Sequence, residues 1–332
     1  MSIDISKNLI KSRIDFVMVF SVENANPNGD PGYDNRPRMD NYTRGGYITD
    51  VCLKRKIRNR IEAMQELQNG YDIWVRSGTY LRETLGNAID IIRKEKEYSE
   101  LKTDKDKANY EKRRLCDKFF DIRAFGGVLT SDSDSEEEEE KKTTKNKSGK
   151  SKSKVSQIRG PVSIQYAKSV VPIVIEDDNI TRICPTKFDS LKPEKQTEMG
   201  RKKRVLFSVY VAKGSISARL AEGERGTGFS EEDLKLLKEA VRTLFQGDES
   251  TARPIGSMIV QKVVFFSHTS KDGDEPVHKT LDRLKVAFEP DKEVDKPEKA
   301  RDMKFYPISI DKEGIPSTIN VEELDVNKMT VS

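Results

Sequence analysis

A strongly apolar run near the start of the chain, RIDFVMVFSV at residues 13–22, places the tightest constraint on the fold. It is rich in Val, Phe and Ile and lacks Gly and Pro, which is typical of a buried β-strand. Residues 23–46 are dense in Asn, Pro, Gly and Asp and predict a long structured loop. A helix is predicted from Thr49, because an apolar stripe recurs there at helical spacing. The stripe consists of Leu53, Ile57, Ile61 and Met64.

A second group of strands and a second helix are predicted further along the chain. Strand patterns occupy residues 162–175, 205–213, 259–267, 284–288 and 303–310. Ser230 begins the helix, because SEED is a capping-box sequence ahead of an apolar face. That face contains Leu234, Leu237, Val241, Leu244 and Phe245. The order of elements predicts an α+β fold with a ferredoxin-like βαββαβ core and large insertions.

The charged residues are distributed unevenly. They make up 35% of the chain, and 60 basic against 56 acidic side chains leave a net charge of only +4. Residues 131–154, SDSDSEEEEEKKTTKNKSGKSKSK, segregate acidic and basic residues into two blocks. Such a segment has no apolar surface to bury, so we expect a disordered charged loop over residues 131–156.

Several function classes are disfavoured by the sequence. The three cysteines, Cys52, Cys116 and Cys184, are widely separated, which favours a reducing compartment over a disulfide framework. Only two histidines are present, and neither a Walker A motif nor a Ser–His–Asp pattern is apparent. No apolar stretch is long enough for a signal peptide or a membrane span. We therefore expect a cytoplasmic, non-catalytic protein without a cofactor or a metal.

The first predicted helix carries the sharpest charge feature. Lys54, Arg55 and Arg58 are neighbours on its surface, and no acidic residue interrupts residues 51–60. A cationic ridge opposite a packed apolar face suits a sugar-phosphate backbone. A solvated amphipathic helix is the competing interpretation, and the charge pattern does not decide between the two.

Further basic motifs are weaker when taken singly. The loop NPNGDPGYDNRPR combines Asn and Gly with Arg, and is either a ligand-contacting loop or a packed turn. FFDIRAFGG places Arg123 among aromatic residues that favour a core position. MGRKKR at residues 199–204 either holds phosphates or is an exposed basic turn. QIRGP and GDESTARP each offer one Arg near Gly, Pro or Ser.

These motifs together resemble a known family. NPNGDP, NRPR, ITDVCLKRKIRN, FFDIRAFGG, RGPV, ITR, MGRK, SARLA and TGFSEEDL occur in the order found in the Cas7 proteins, the RNA-backbone subunits of type I CRISPR effector complexes. The similarity is greatest to the type I-C branch. It covers the chain from about Arg13 to the strand near Ile310.

The resemblance implies a fold and a domain organisation. Residues 1–330 would form one RRM-like palm with insertions, of which residues 70–125 are helical fingers and residues 177–204 an extended thumb. Several copies would line up along CRISPR RNA in a helical filament. They would join other subunits of the Cascade complex and present the guide for pairing with target DNA.

The resemblance also implies RNA-binding residues, by position in the matching motifs. They are Asn26, Asn28, Gly29, Lys54, Arg55, Arg58, Arg123, Gln157, Arg159, Met199, Arg201, Lys202 and Arg253. Arg36 and Arg38, which add positive charge to the loop, are also predicted to bind RNA. The sequence departs from the family pattern in the charged segment 131–154 and in STARPIG, where Pro254 replaces a Gly. Two alternatives stay open: a metal-dependent endoribonuclease of the same fold, and a stand-alone single-strand RNA-binding protein.

Overall fold

An eight-stranded antiparallel sheet forms the centre of the computed structural model, which describes residues 8–65, 70–129, 157–183 and 198–328. The strands are β1 (Ile14–Ala25), β2 (Gly29–Asp30), β3 (Arg36–Pro37), β4 (Gly45–Ile48), β5 (Gly126–Gly127), β6 (Ile158–Arg159), β7 (Val162–Ile164), β8 (Ala167–Pro172), β9 (Ile175–Arg182), β10 (Glu198–Ile216), β11 (Met258–Ser267), β12 (Leu284–Val286), β13 (Ile308–Ile310) and β14 (Asn320–Leu324). The order across the central sheet is β14–β11–β1–β10–β8–β4, and β7 and β9 also pair with β10.

The helices lie on both faces of the sheet, with α1 and α7 on one face and α8 on the other. They are α1 (Asp50–Met64), α2 (Leu81–Arg93), α3 (Lys96–Ser99), α4 (Asp104–Lys118), α5 (Phe120–Phe125), α6 (Ala218–Ala221), α7 (Glu231–Arg242) and α8 (Val277–Leu281). Among the described residues, no helix combines the length and the apolar character that a membrane crossing requires.

Strand β1 is the centre of the fold, as its apolar sequence predicts. It pairs with β10 on one side and β11 on the other. Its side chains alternate between the two faces of the sheet. Phe16, Met18 and Phe20 face the helices, whereas Val17 and Val19 face the opposite side. Both faces are covered, so residues 16–20 of the strand are all apolar.

Helices α1 and α7 cover one face of the sheet and begin where the sequence predicts. The Thr49 hydroxyl accepts a hydrogen bond from the Cys52 N–H at 3.2 Å. Ser230 and Asp233 form the predicted capping box at the start of α7. The apolar stripe of α1, including Leu53, Ile57 and Ile61, is buried in the core that α7 also enters.

The opposite face of the sheet is covered by the C-terminal segment from α8 to residue 319. Leu281, Leu284 and Tyr306 of this segment pack on Val209 of β10 and Phe266 of β11. This layer covers β1, β10 and β11 but leaves the outer strands more open.

The helices that follow α1 in the chain, α2 to α5, form a separate apolar cluster. Trp74, Leu85 and Leu115 are buried there together with Phe119. Phe120 is fully buried in the main core instead. The prediction that these aromatic residues are core rather than a stacking surface is therefore confirmed for Phe119 and Phe120.

The mixed α/β character with an antiparallel sheet is confirmed, and most predicted strands are present with changed ends. Strand β10 is longer than the predicted 205–213, and the pattern at 303–310 yields only β13 after a short 3₁₀ turn. Strand β14 was missed, because NVEEL is polar. A charged edge strand is easily overlooked, since charge protects an edge from unwanted pairing. The predicted charged loop 131–156 and the centre of the predicted thumb, 184–197, lie outside the described residues.

Candidate nucleic-acid interface

The Asn- and Gly-rich loop after β1 is fastened to the start of α1. The side-chain oxygen Oδ1 of Asn28 accepts hydrogen bonds from the Thr49 N–H at 3.0 Å and the Thr49 hydroxyl at 3.2 Å. Thr49 is also the N-cap of α1. Asn28, expected at the RNA, therefore uses its oxygen to position the helix, and only its amide NH₂ is left for another partner.

Asn26 and Gly29 build the inside of the loop. Asn26 is buried, and its NH₂ group donates to the Asn35 carbonyl oxygen at 2.7 Å. A Cβ on Gly29 would stand 2.2 Å from Oδ1 of Asn35, so Gly is needed for packing within the loop. Asn26 and Gly29 thus shape the loop, and their expected contact with RNA stays a prediction.

The tip of the loop is held beside the start of β10. β2 pairs with β3, and Arg38 forms an ion pair with Asp30 at 3.0 Å. Lys203 of β10 donates to Oδ2 of Asp34 at 2.7 Å. That hydrogen bond and charge hold the pKa of the Asp34 carboxyl below its usual range. The loop and the base of the β9–β10 hairpin thus become one surface.

Cations lie on both faces of this junction. Arg36 lies on β3, which packs beside β10, and Arg201 on β10 points to the same face as Lys203, towards Asp34. Lys202 is partly exposed and points to the opposite face, where its cross-strand partner is Asp178. No described residue forms an ion pair with any of these three. Met199 is 77% exposed and Tyr33 is 69% exposed. We call this set, namely Tyr33, Arg36, Met199, Arg201 and Lys202, the loop–strand surface.

The basic residues of α1 do not form a uniformly exposed ridge. Lys54 pairs with Asp50 at 3.0 Å, and Arg55 donates to the Val75 carbonyl oxygen at 2.7 Å; both stay partly exposed. Arg58 is buried, and its Nε donates to Asp121 at 2.8 Å. The expected place of Arg58 on an exposed ridge is therefore corrected, because a carboxylate from α5 draws it into the interior.

Lys56 and Arg253 meet at a second internal carboxylate. The Lys56 ammonium and the Arg253 Nε both donate to Oδ2 of Asp248, the latter at 2.9 Å. Burial lowers the pKa of Lys56. The backbone N–H of Asn26 donates to the carbonyl oxygen of Ala252 in the same turn, at 2.8 Å. Arg253 therefore supports the loop from behind, with its side chain partly exposed.

Arg123 has a structural position. It is 2% exposed, and its guanidinium donates to both carboxylate oxygens of Asp233 at 2.8 and 2.7 Å. It also donates to the carbonyl oxygens of Cys116 and Gly70. The expected palm contact of Arg123 is corrected, because every face of its guanidinium is engaged inside the protein.

Gln157 and Arg159 lie at the surface, next to the Gly126–Gly127 strand β5. Gly126 adopts a φ of 71°, and a Cβ there would approach the Ile158 carbonyl oxygen to 2.2 Å. The Gly pair therefore permits the close β5–β6 pairing that presents Arg159. These two residues keep the exposure that a nucleic-acid contact requires.

Three aspartates that pair with basic side chains inside the protein could not be identified from the sequence. Asp121, Asp233 and Asp248 take up Arg58, Arg123 and Lys56. Asp233 was visible only as a capping residue, and nothing local marked the other two as partners. In the described part of the chain, no group of three or more His, Cys, Asp or Glu side chains is arranged to hold a metal ion.

A family model described as CRISPR-associated protein Cas7 matches residues 12–311. A curated relative, CRISPR-associated protein Cas7 of Haloferax volcanii, is 32% identical over 123 residues. That alignment covers 37% of this chain and 34% of the relative, so the match spans about a third of the relative's length.

Solved structures with a similar course of the chain come from CRISPR complexes. One, from a CRISPR RNA-guided surveillance complex in a pre-nicking state, has a TM-score of 0.42 and 11% identity, covering 81% of this chain and 82% of that chain. Another, from a type III-B Cmr-beta complex bound to cognate target RNA, has a TM-score of 0.37 and 10% identity, covering 76% of this chain and 60% of that chain.

Proposed function

The chain belongs to the Cas7 family of CRISPR-associated proteins, and on that basis we propose that it is a non-catalytic backbone subunit of a type I effector complex. Several copies assemble side by side along one CRISPR RNA, as a helical filament within Cascade. The guide bases stay accessible for pairing with target DNA. The order of the sequence motifs supports the type I-C branch within this proposal.

The observation that carries the RNA-binding part is the loop–strand surface. Arg36 and Arg201, from two distant parts of the chain, lie at one junction, and Lys202 lies on the other face of the hairpin; none of the three has an ion pair to a described residue. These surface cations, together with the exposed Met199 and Tyr33, match the needs of single-stranded RNA, which combines phosphates with unstacked bases. We propose a second group of residues that contact the sugar-phosphate backbone of the RNA, namely Gln157, Arg159, Lys54 and Arg55.

The arrangement of elements supports an RRM-like palm. Along the chain, β1, α1, β8, β10, α7 and β11 follow the βαββαβ order. The four strands are neighbours in the sheet as β11–β1–β10–β8. In this proposal α2 to α5 are the fingers, and the hairpin of β9 and β10 is the base of the thumb.

Salt dependence tests the RNA surface. We expect the triple variant R36A/R201A/K202A to bind guide RNA more weakly, with a slope of log affinity against log salt that is shallower by about 2, since each lost phosphate contact on a single strand removes about 0.7. The matched control is K292A/K296A/R301A, which removes three exposed cations from the C-terminal segment and should leave the slope unchanged. Equal slopes for the two triple variants would refute the assignment.

The endoribonuclease alternative is kept because Asp34 lies on the RNA-facing loop with its side chain 75% exposed. Asp30 and Asp34 are each engaged by a cation, Arg38 and Lys203. We expect no cleavage of target RNA paired to the bound guide, with or without magnesium. Regularly spaced magnesium-dependent cuts that disappear in Asp34→Ala would establish the nuclease instead.

A further inference from the structure

A pair of stacked tyrosines lies at the outer edge of the central sheet, beside the loop that carries Arg36, because the Tyr47 N–H donates to the Arg38 carbonyl oxygen at 3.1 Å. The rings of Tyr47 on β4 and Tyr166, just before β8, are 6.0 Å apart with planes 12° from parallel. Tyr166 is 48% exposed. The outer face of this stack is therefore open to a further flat ring.

The strand register shows which face of the sheet carries the stack. Ile48 and Ala167, the chain neighbours of the two tyrosines, are fully buried on the helical side. Because side chains alternate along a strand, Tyr47 and Tyr166 point to the opposite face. The C-terminal segment covers that face over β1, β10 and β11. The segment also reaches Val170 and Val171 of β8, and the tyrosines lie on the same face beyond these two residues, towards the start of β8.

Positive charge flanks the two rings. Lys168 is exposed, lies two residues beyond Tyr166 on the same face, and is the direct cross-strand neighbour of Tyr47. Arg44 is exposed just before β4. No described residue forms an ion pair with either cation. Asp40, whose charge interacts with Lys168, accepts three hydrogen bonds from Tyr42 and Thr43 through its Oδ1.

We propose that Tyr47, Tyr166 and Lys168 form a second nucleic-acid site, in which one unpaired nucleobase of a single strand stacks on Tyr166 and Lys168 holds the adjoining phosphate. Stacking on an aromatic ring tolerates any base, and a nearby cation supplies the attraction for the backbone. The exposed Lys168 and Arg44 beside the rings favour an anionic ligand. This inference rests on the proposed function only in the class of ligand that it names.

Two kinds of single-stranded nucleic acid could supply the base and the phosphate at this site. The strand is either a segment of the guide RNA or a separate single strand of DNA. Both present an unstacked base and a phosphate, and the 2′-hydroxyl is the main chemical difference between them. The experiment therefore contains an arm for each.

The binding test uses the full chain with R36A/R201A/K202A as background, so that the loop–strand surface does not hide the second site. Fluorescein-labelled oligothymidylate and oligouridylate, each about 12 nucleotides long, are the probes. We expect Tyr166→Ala to weaken binding about tenfold. Tyr166→Phe, which keeps the ring, should stay within about twofold, and Lys168→Ala should weaken binding and flatten its salt dependence. Tyr80→Ala, at another exposed tyrosine, is the matched control and should change nothing.

Ultraviolet crosslinking of the wild-type chain assembled on guide RNA then identifies the source. A Tyr166 peptide linked to the guide assigns the site to RNA, and one linked only to added oligothymidylate assigns it to a separate strand. Unchanged binding in Tyr166→Ala, or equal losses in Tyr166→Ala and Tyr166→Phe, would overturn the proposal. So would a Tyr166 that crosslinks to neither strand and becomes protected by a neighbouring protein. Guide assembly is measured in the same samples, so failure of the proposed function appears separately, as wild-type chain that does not assemble.

Discussion

At the residue scale, the basic side chains divide into those that stabilise the fold and those that remain available. Arg58 and Arg123 are buried against carboxylates, whereas Arg36 and Arg201 stand at the surface without an ion pair to a described residue. Both kinds look alike in the sequence. Their roles differ because a buried guanidinium must be paired to offset its loss of hydration, and an exposed one need not be.

Arg58 should therefore affect stability rather than salt-dependent binding. Asp121 is fully buried and also accepts the backbone N–H groups of Trp74 and Val75 at 2.8 and 3.0 Å. We expect Arg58→Ala to lower the free energy of unfolding by about 3–5 kcal/mol, because it leaves that carboxylate without its cation. Urea denaturation measures the loss.

Lys54→Ala is the control for Arg58→Ala on the same helix. Lys54 pairs with Asp50 one turn away, with both side chains partly exposed. Such a pair contributes only about 0.3–0.5 kcal/mol. Similar losses in the two variants would mean that the Arg58–Asp121 pair does not stabilise the fold as the geometry implies.

At the element scale, the joint between the loop and α1 depends on a chain of two polar side chains. Asn28 accepts from Thr49, and Thr49 accepts from Cys52. We expect Asn28→Ala and Thr49→Ala each to destabilise the protein by about 1 kcal/mol, a typical effect of losing a helix cap. Because the two residues share one network, the double variant should lose less than the sum of the single variants. Chemical denaturation of the four proteins gives the coupling, and strict additivity would contradict the joint.

The β5–β6 pair predicts that the charged segment is dispensable for the fold. Gly127 and Ile158 are direct cross-strand partners in the two-stranded β5–β6 sheet. The chain on either side of the charged segment therefore starts and ends at neighbouring positions. Deletion of residues 131–154 leaves three residues between Leu129 and Gln157, which is enough for a hairpin connection. We expect the shortened chain to melt within about 3 °C of the full chain, which corresponds to about 2 kcal/mol or less for a chain of this size, and to assemble on guide RNA. Loss of folded protein would show that the segment is structural.

At the scale of the whole molecule, the loop–strand surface is open on its outer side. The two faces of the central sheet are covered by α1 with α7 and by the C-terminal segment. The exposed residues of the loop and the hairpin base are left outside both layers. A single copy therefore offers RNA a surface rather than an enclosed channel, which fits a protein that works as one of several copies.

Mass measurement of the assembly separates this filament from a stand-alone binder. We expect the mass of the complex to rise in steps of one 37.8 kDa chain as the guide RNA is lengthened, because each copy covers a fixed length of RNA. Native mass spectrometry with a series of guides gives the steps, and the protein without RNA provides the baseline. One chain per guide at every length would favour the stand-alone binder.

The order of the main elements and the first residues of both major helices could be predicted from local sequence patterns alone. Apolar spacing, the Thr49 cap and the Ser230 capping box act over a few residues, so they are legible without the fold. The same local reasoning located Arg36, Arg201 and Lys202 within basic motifs. It did not reveal that the loop and the hairpin base would meet, because β3 and β10 are far apart in the chain.

Which of the predicted RNA-binding side chains remain available to a ligand depends on the tertiary structure. The acids that pair with Arg58, Arg123 and Lys56 lie 63, 110 and 192 residues away in the chain. Residues 51–60 carry an excess of positive charge in the sequence because the acidic residues that compensate it are distant in the chain and come close only in the folded protein. Likewise, Tyr47 and Tyr166 become a stack only through the β4–β8 register. Local patterns determine which segments form elements, whereas pairing between distant charges and strands determines which side chains remain for a ligand.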